Sequence, residues 1–499
     1  QTHPCPIPDD MWDEITPIKN MIDEAVANTN DELLEKYINE EPFTKDEISW
    51  ALRQGVMNKT LIPVLCGTNQ IGIQIILNSM VAFFSAAGDM VNSMVVHNEE
   101  TDEDDLIGFD ESLAPSLFVF KTIADPFVGR ISLFKVCTGS IHAGMTLFNV
   151  QKKEAEKLNK LYIMKGKELI ETDCLNAGDI GALSKLSYTQ TNDTLCTLDY
   201  RITYETILFS QPYYGKAIKP VGKANEEKIT NALNKLLEED KTLKFENNPE
   251  TKQQCIYGIG DIHIDSVVSK LKERFKIDVT LDNIIIPYRE TIRGQVTQRY
   301  KYKKQSGGHG QYGDVEITFE PLHDYTVPFV FEEKIFGGAV PKAYFPAVEK
   351  GLVEATKHGI LAQYPVLGIK ATLIDGSYHS VDSSEMAFKT ATIMCFKEAM
   401  EKAKPALLEP FMTLHVYIDE KFTGDIMGHF NKKRARVMGS EILEDGLIKI
   451  TAEAPQEEVM NYAVDLRAMT QGQGFFDMEF LGYEFAPEHV TKRVIANHQ

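Results

Sequence analysis

Two loops hold the residue types most able to do chemistry in this chain. The first is Tyr300-Lys301-Tyr302-Lys303-Lys304-Gln305-Ser306-Gly307-Gly308-His309-Gly310-Gln311-Tyr312-Gly313. Five Lys or Arg and no carboxylate lie between Arg293 and Tyr312. Tyrosines interleave with these charges, and the glycines let a backbone come close to a ligand. The second loop is Gly376-Ser377-Tyr378-His379-Ser380-Val381-Asp382-Ser383-Ser384-Glu385. Asp382 and Glu385 fit a capping arrangement opening a helix that buries Phe388, Cys395, Phe396 and Ala399. Such a cap leaves Tyr378 and His379 unexplained at an exposed mouth. Hydroxyls, amides, cations and aromatic faces in this mixture suit the grip of phosphates and bases rather than bond breaking. On residue types alone, a surface hairpin and a solvated polar turn fit as well. A third feature is Lys432-Lys433-Arg434-Ala435-Arg436 at a helix C-terminus. There cations complement the dipole, and phosphate contact is the alternative reading.

Catalytic signatures are absent. The sequence holds no GxSxG, no HExxH and no cluster among twelve scattered histidines, so neither a catalytic residue nor a metal site is expected. Gly258-Ile259-Gly260 begins like a dinucleotide fingerprint, but His263 takes the third glycine position. A strand-to-helix turn is the better reading. No GxxxxGK[ST] can wrap a triphosphate, and no NKxD can read guanine. Asp105 to Gly108 and Asp425 to Gly428 match DxxG, a pattern short enough to recur by chance. GTP hydrolysis by these residues alone is not expected.

The elements that must position the loops follow from length and periodicity. A chain of 499 residues divides into about three to four domains. With 43% hydrophobic residues it can bury several cores. Its charge is −21, which excludes indiscriminate coating of nucleic acid; an RNA partner must be met by local basic patches on an acidic body. Seven well-separated cysteines with no CxxC pair fit a reduced, cytoplasmic setting. The longest apolar stretch, residues 71–87, is interrupted by Gln74, Asn78 and Ser79 and reads as a buried helix, not a membrane span.

Along the chain, Asn30-Asp31-Glu32 and Thr44-Lys45-Asp46-Glu47 read as capped helix starts. Residues 61–67 read as a short buried strand, followed by a helix with Ile73, Ile76, Leu77 and Met80 at helical spacing. The acidic run 98–112 reads as a solvated linker or loop. From Ser116 to Phe209, short alternating strands with regular turns predict a small β-barrel. Residues 213–281 follow the order β-α-β-β-α-β, with Ile229, Ala232, Leu233, Leu236 and Leu237 on one helix face. The same order returns from Met412 to Leu481, where Asp445-Gly446 marks a hairpin. A different segment, 290–405, separates the two copies.

The loops, together with Phe336-Gly337-Gly338-Ala339-Val340-Pro341 and Ala403-Lys404-Pro405 through Leu408-Glu409-Pro410, closely resemble bacterial-type elongation factor G, of the translational GTPase family. Gly258 to His263 and Tyr288-Arg289-Glu290-Thr291 resemble its third domain, and Asp125 to Gly129 its second. Pro63-Val64-Leu65-Cys66-Gly67-Thr68 resembles the last guanine-proximal loop of its G domain. The resemblance spans essentially the whole chain. It implies a multidomain α+β fold: a G-domain remnant at 1–88, a β-barrel at 89–206, a ferredoxin-like domain at 207–288, an elongated arm at 289–405 and a second ferredoxin-like domain at 406–499. The family's phosphate loop and switches are expected upstream of residue 1, so a fragment of a GTPase is favoured over a shortened paralogue. Gly67-Thr68 replaces the family's Gly-Ser-Ala, and His309 stands where many members carry arginine.

The resemblance implies ribosome binding and promotion of tRNA–mRNA translocation in the cytoplasm, by a monomer that engages neither membrane nor DNA. Recycling or ribosome protection by a paralogue is the alternative. The implied RNA contacts at the arm tip are Gly307, Gly308, His309, Gly310, Gln311, Tyr312, Ser377, Tyr378 and His379. Those implied for ribosomal phosphates are Lys303, Lys304, Lys432, Lys433, Arg434 and Arg436. Of the cofactor site only Gly67 and Thr68 remain, so no cofactor is expected here. GTP and Mg belong to the intact family member.

Overall fold

In the computed structural model, residues 7–67, 72–89, 94–125, 128–222, 226–305 and 310–497 are described. The chain divides into two units, Gln1–Leu208 and Phe209–Gln499.

The first unit begins with helices Trp12–Ala27, Asp31–Ile38 and Lys45–Met57. Both expected starts form: Asn30 accepts the amide of Leu33, and Thr44 with Glu47 makes a reciprocal capping box. Val26, Leu33 and Ala51 are the buried centre. Residues 61–67 are not the expected buried strand. They pair with no strand among the described residues, and Val64 is 92% exposed. Apolar sequence alone cannot make a strand whose ladder has no partner. Helix Ile73–Phe83 forms where the spacing predicts, yet none of its residues is buried.

The acidic run also departs from expectation. Glu103–Ile107 is a strand paired antiparallel with Met94–Asn98, which pairs in turn with Ile202–Tyr204. Val96, Ile107 and Ile202 supply a buried face. The carboxylates can remain in water, with Asp104 2.9 Å from His97. A few apolar residues on one side therefore outweigh the charge on the other.

The expected barrel is an eight-stranded antiparallel sheet running from Glu154–Lys157 to Glu168–Thr172, with Ser116–Asp125 and Gly129–Thr138 at its centre. Among the described residues no pairing joins its two ends. It packs on Leu117, Val119, Phe134, Val136, Leu147 and Leu161.

In the second unit the duplicated module is present twice. Strands Tyr214–Pro220, Lys244–Asn248, Gln253–Gly258 and Val279–Asp282 form one antiparallel sheet in the order second-third-first-fourth. Helices Glu226–Glu239 and Asp261–Phe275 cover it through Ile229, Leu233, Leu236, Ile264, Val267 and Leu271. The last module repeats this order with Pro405–Ile418, Arg436–Ile442, Ile448–Pro455 and Phe475–Phe485, extended by Arg289–Ile292. The helix expected from Gln456 to Thr470 is divided into Gln456–Val459 and Tyr462–Thr470.

Between the modules lies a four-stranded sheet in the order Val296–Lys304, Gln311–Pro321, Ile369–Ser377, Phe329–Glu333. Phe329–Glu333 runs parallel to Ile369–Ser377. A parallel pair needs a crossover, which helix Phe345–Ala355 provides. Helix Glu385–Lys402 lies beside it, and Phe319, Leu352, Phe388, Cys395 and Phe396 close the core between sheet and helices. This packing fixes where the two loops leave the sheet.

Candidate nucleic-acid interface

The two loops meet at one end of this sheet. Strand Gln311–Pro321 is its middle, pairing Tyr312 with Lys303 on one side and Asp314 with Ser377 on the other. The second loop folds back over the first. Tyr312 N–H donates to the Asp382 carbonyl at 2.8 Å, Gly310 N–H donates to the Asp382 carboxylate at 3.0 Å, and the Ser383 hydroxyl donates to the Tyr312 carbonyl at 3.0 Å. Ser306, Gly307, Gly308 and His309 lie outside the described residues.

Asp382 therefore does not cap the helix. Ser384 is the N-cap, its hydroxyl accepting from Ala387 N–H, and the Asp382 carboxylate is spent on the neighbouring loop. Two glycines allow this closeness. A Cβ at Gly313 would stand 2.6 Å from the Ala387 carbonyl oxygen, and one at Gly376 2.3 Å from the Asp314 carbonyl oxygen. Both obstacles are backbone, which cannot turn aside.

Beneath the surface lies a polar chain that the sequence reading missed. Asp314, fully buried, accepts from Arg299 at 2.8 and 3.1 Å and from the Ser377 hydroxyl at 2.6 Å. Tyr312 Oη is 2.6 Å from Ser377 Oγ. With Ser377 donating to Asp314, Tyr312 is the donor in that pair. Burial pushes the Asp314 carboxyl up. The hydrogen bonds from Arg299 and Ser377, with the charges of Arg299 and Lys301, outweigh burial and hold it below the usual carboxylate range. The visible signal was a lone acid, Asp314, next to a basic run.

This network sorts the candidates. Ser377 and the Tyr312 hydroxyl are turned inward as supports. Lys303, Lys304, Gln311, Tyr378 and His379 are exposed. Nδ1 of His379 lies 3.3 and 3.2 Å from the amides of Val381 and Asp382 and 3.4 Å from the Asp382 carboxylate, and the side chain is half exposed. Lys301 sits over the Tyr312 ring at 5.8 Å, the His379 ring 6.1 Å from it. The exposed groups are two cations, an amide and two aromatic faces, which can hold phosphate, hydroxyl and base together.

The basic run at 432–436 is mostly engaged within its own domain. Arg434 makes a fork to Glu409 at 2.8 and 3.0 Å and reaches Glu458 at 3.0 Å. Arg436 pairs with Glu453 and Glu484, and Lys433 with Asp465 at 3.2 Å. Lys432 is exposed.

Two motifs singled out in the sequence prove architectural. Glu290 is buried and accepts the amides of Leu361, Ala362 and Tyr364, pinning the loop at the foot of the sheet. His263 accepts Ile259 N–H on Nδ1 and meets Asp240 at 2.9 Å through Nε2. That bond, the largest influence on Asp240, helps hold its carboxyl far below the ordinary range against burial.

Of the cofactor remnant, Thr68 lies outside the described residues, and Gly67 ends an exposed segment without a charged side chain from Leu61 onward. No helix among the described residues is long and apolar enough to cross a membrane.

Comparison with known proteins matches the chain domain by domain. Family models match for elongation factor G domain 2 at 114–198, domain III at 209–283, domain IV at 285–404 and the C-terminus at 406–494. A crystal structure of a Thermus thermophilus protein superposes with a TM-score of 0.70 at 31% identity, covering 99% of this chain and 71% of that one. The resemblance carried by the two loops thus extends through four successive domain models and a structural relative, and the chain belongs to the elongation factor G family.

Proposed function

We propose that this chain acts on the ribosome in tRNA–mRNA translocation, its arm tip contacting the tRNA–mRNA duplex at the decoding site. The observation that carries this reading is the joining of residues 310–313 and 376–383 into one surface, backed by the Arg299–Asp314–Ser377–Tyr312 chain. Lys303 and Lys304 meet phosphates, and Tyr378 and His379 offer faces and a donor. Lys432 is the member of the basic run best placed to reach ribosomal RNA. The work is binding and conformational gating, and no residue forms a covalent intermediate. GTP and Mg belong to the family's phosphate loop, a pattern absent from these 499 residues.

Salt tests this directly. Affinity for ribosomes should fall linearly on a log–log plot against salt, despite the negative net charge. Lys303→Ala should reduce that slope by about 1. An affinity indifferent to salt would overturn the reading.

A further inference from the structure

We propose that Phe336 is a third contact at the arm tip, a platform on which a nucleobase of the bound RNA stacks. The inference rests on the arm tip's being an RNA-binding surface and adds a residue and a mode of contact to it. Phe336 is 95% exposed, more than any other large apolar side chain among the described residues. Scattered apolar residues are normal on a surface, but this one stands directly before a two-glycine turn. Gly337 and Gly338 follow it at φ of 68° and 71°, both in the left-handed region that favours glycine, with nothing within 4 Å of where a Cβ would stand.

The loop also leaves the sheet beside the other two. Phe329–Glu333 runs parallel to Ile369–Ser377, with Glu333 level with Leu373 and Lys334 N–H donating to the Leu373 carbonyl at 2.8 Å. Residues 335–339 therefore head toward the sheet end from which Ser377, Tyr378 and His379 emerge. The return segment of the loop is anchored there as well. Val340 Cγ2 lies 2.6 Å from the position of a Cβ at Gly376, and Tyr344 Oη donates to the Ser383 carbonyl at 3.3 Å while its ring stacks on Phe388.

Lys334, which pairs with Glu332 at 3.9 Å, and Lys342 stand on either side of Phe336 along the chain, and both are exposed. An aromatic face between cations suits a base and its phosphates, whereas the centre of a protein interface is depleted in lysine.

The test compares Phe336→Ala and Phe336→Trp in the full chain, binding purified ribosomes. Stacking on an aromatic residue predicts a loss of roughly five- to hundredfold for Phe336→Ala, and affinity within about twofold of wild type for Phe336→Trp. The salt slope should not change, since no charge is removed. A p-benzoylphenylalanine at position 336 should cross-link to a nucleotide. Wild-type affinity in Phe336→Ala, or a cross-link to a ribosomal protein, would overturn the inference. If Lys303→Ala weakens binding while Phe336→Ala does not, the proposed function stands and this contact falls. If the wild-type chain fails to bind ribosomes, both fall.

Discussion

Asp314→Asn is the substitution that most sharply separates support from contact at the arm tip. The wild-type carboxylate is fully buried and takes two bonds from Arg299 and one from Ser377. Removing one partner of a buried ion pair costs about 3–5 kcal/mol. Here the Arg299 side chain is 44% exposed and has Asp375 at 3.2 Å as a second acceptor. The loss should therefore be nearer to about 2 kcal/mol. Trp12 and Trp50 are the chain's two tryptophans, and both lie in the first unit, so tryptophan fluorescence does not report on the arm. Amide hydrogen exchange does. A loss of about 2 kcal/mol lowers protection about thirtyfold in strands Gln311–Pro321 and Ile369–Ser377, with the duplicated modules unchanged. The effect should also depend on pH. The folded carboxyl keeps its charge below the unfolded value near about 3.9. Its stabilisation is full above that value and drains as pH falls through the folded one, so the difference between wild type and variant should shrink in acid. Protection within about 0.5 kcal/mol of wild type at neutral pH, or a loss spread equally over the second unit, would refute this.

Other substitutions probe the remaining supports. Arg434→Ala leaves Glu409, 2% exposed, without its fork. It should cost about 3 kcal/mol in urea unfolding, and Arg434→Lys should recover less than half of that, because an ammonium cannot form the bidentate pair. Glu290→Gln removes one acceptor oxygen from the buried carboxylate that serves three amides, lowering stability by about 2 kcal/mol and raising exchange at residues 359–364. His379→Ala should weaken ribosome binding while stability stays within about 0.5 kcal/mol of wild type, as expected of an exposed side chain whose bonds are long; a sharp fall in melting temperature with unchanged binding would make it a structural residue.

What could be read from the sequence follows its periodic segments. The two β-α-β-β-α-β modules were legible because their helices repeat apolar residues at helical spacing, as at Ile229, Leu233 and Leu236, and because Asp445-Gly446 marks a hairpin. The strand expected at 61–67 failed, since apolar residues specify burial only where a neighbouring strand can pair. The acidic run hid a strand because Val96, Ile107 and Ile202, which supply its buried face, lie far apart along the chain. At the tip, the exposed groups were legible by type. Which of them serve as supports was not, because Ser377 and Tyr312 are committed by a third residue, Asp314, and Arg434 by Glu409. Such pairings appear only when strands lie side by side.

Hydroxyl-radical footprinting of ribosomes carrying this chain addresses the placement of the arm tip most directly. The account predicts protection of small-subunit RNA at the decoding site and of the tRNA anticodon arm, lost when Lys303 and Lys304 are both replaced by alanine. Protection confined to other regions, or a decoding-site footprint that survives that double replacement together with His379→Ala, would contradict it.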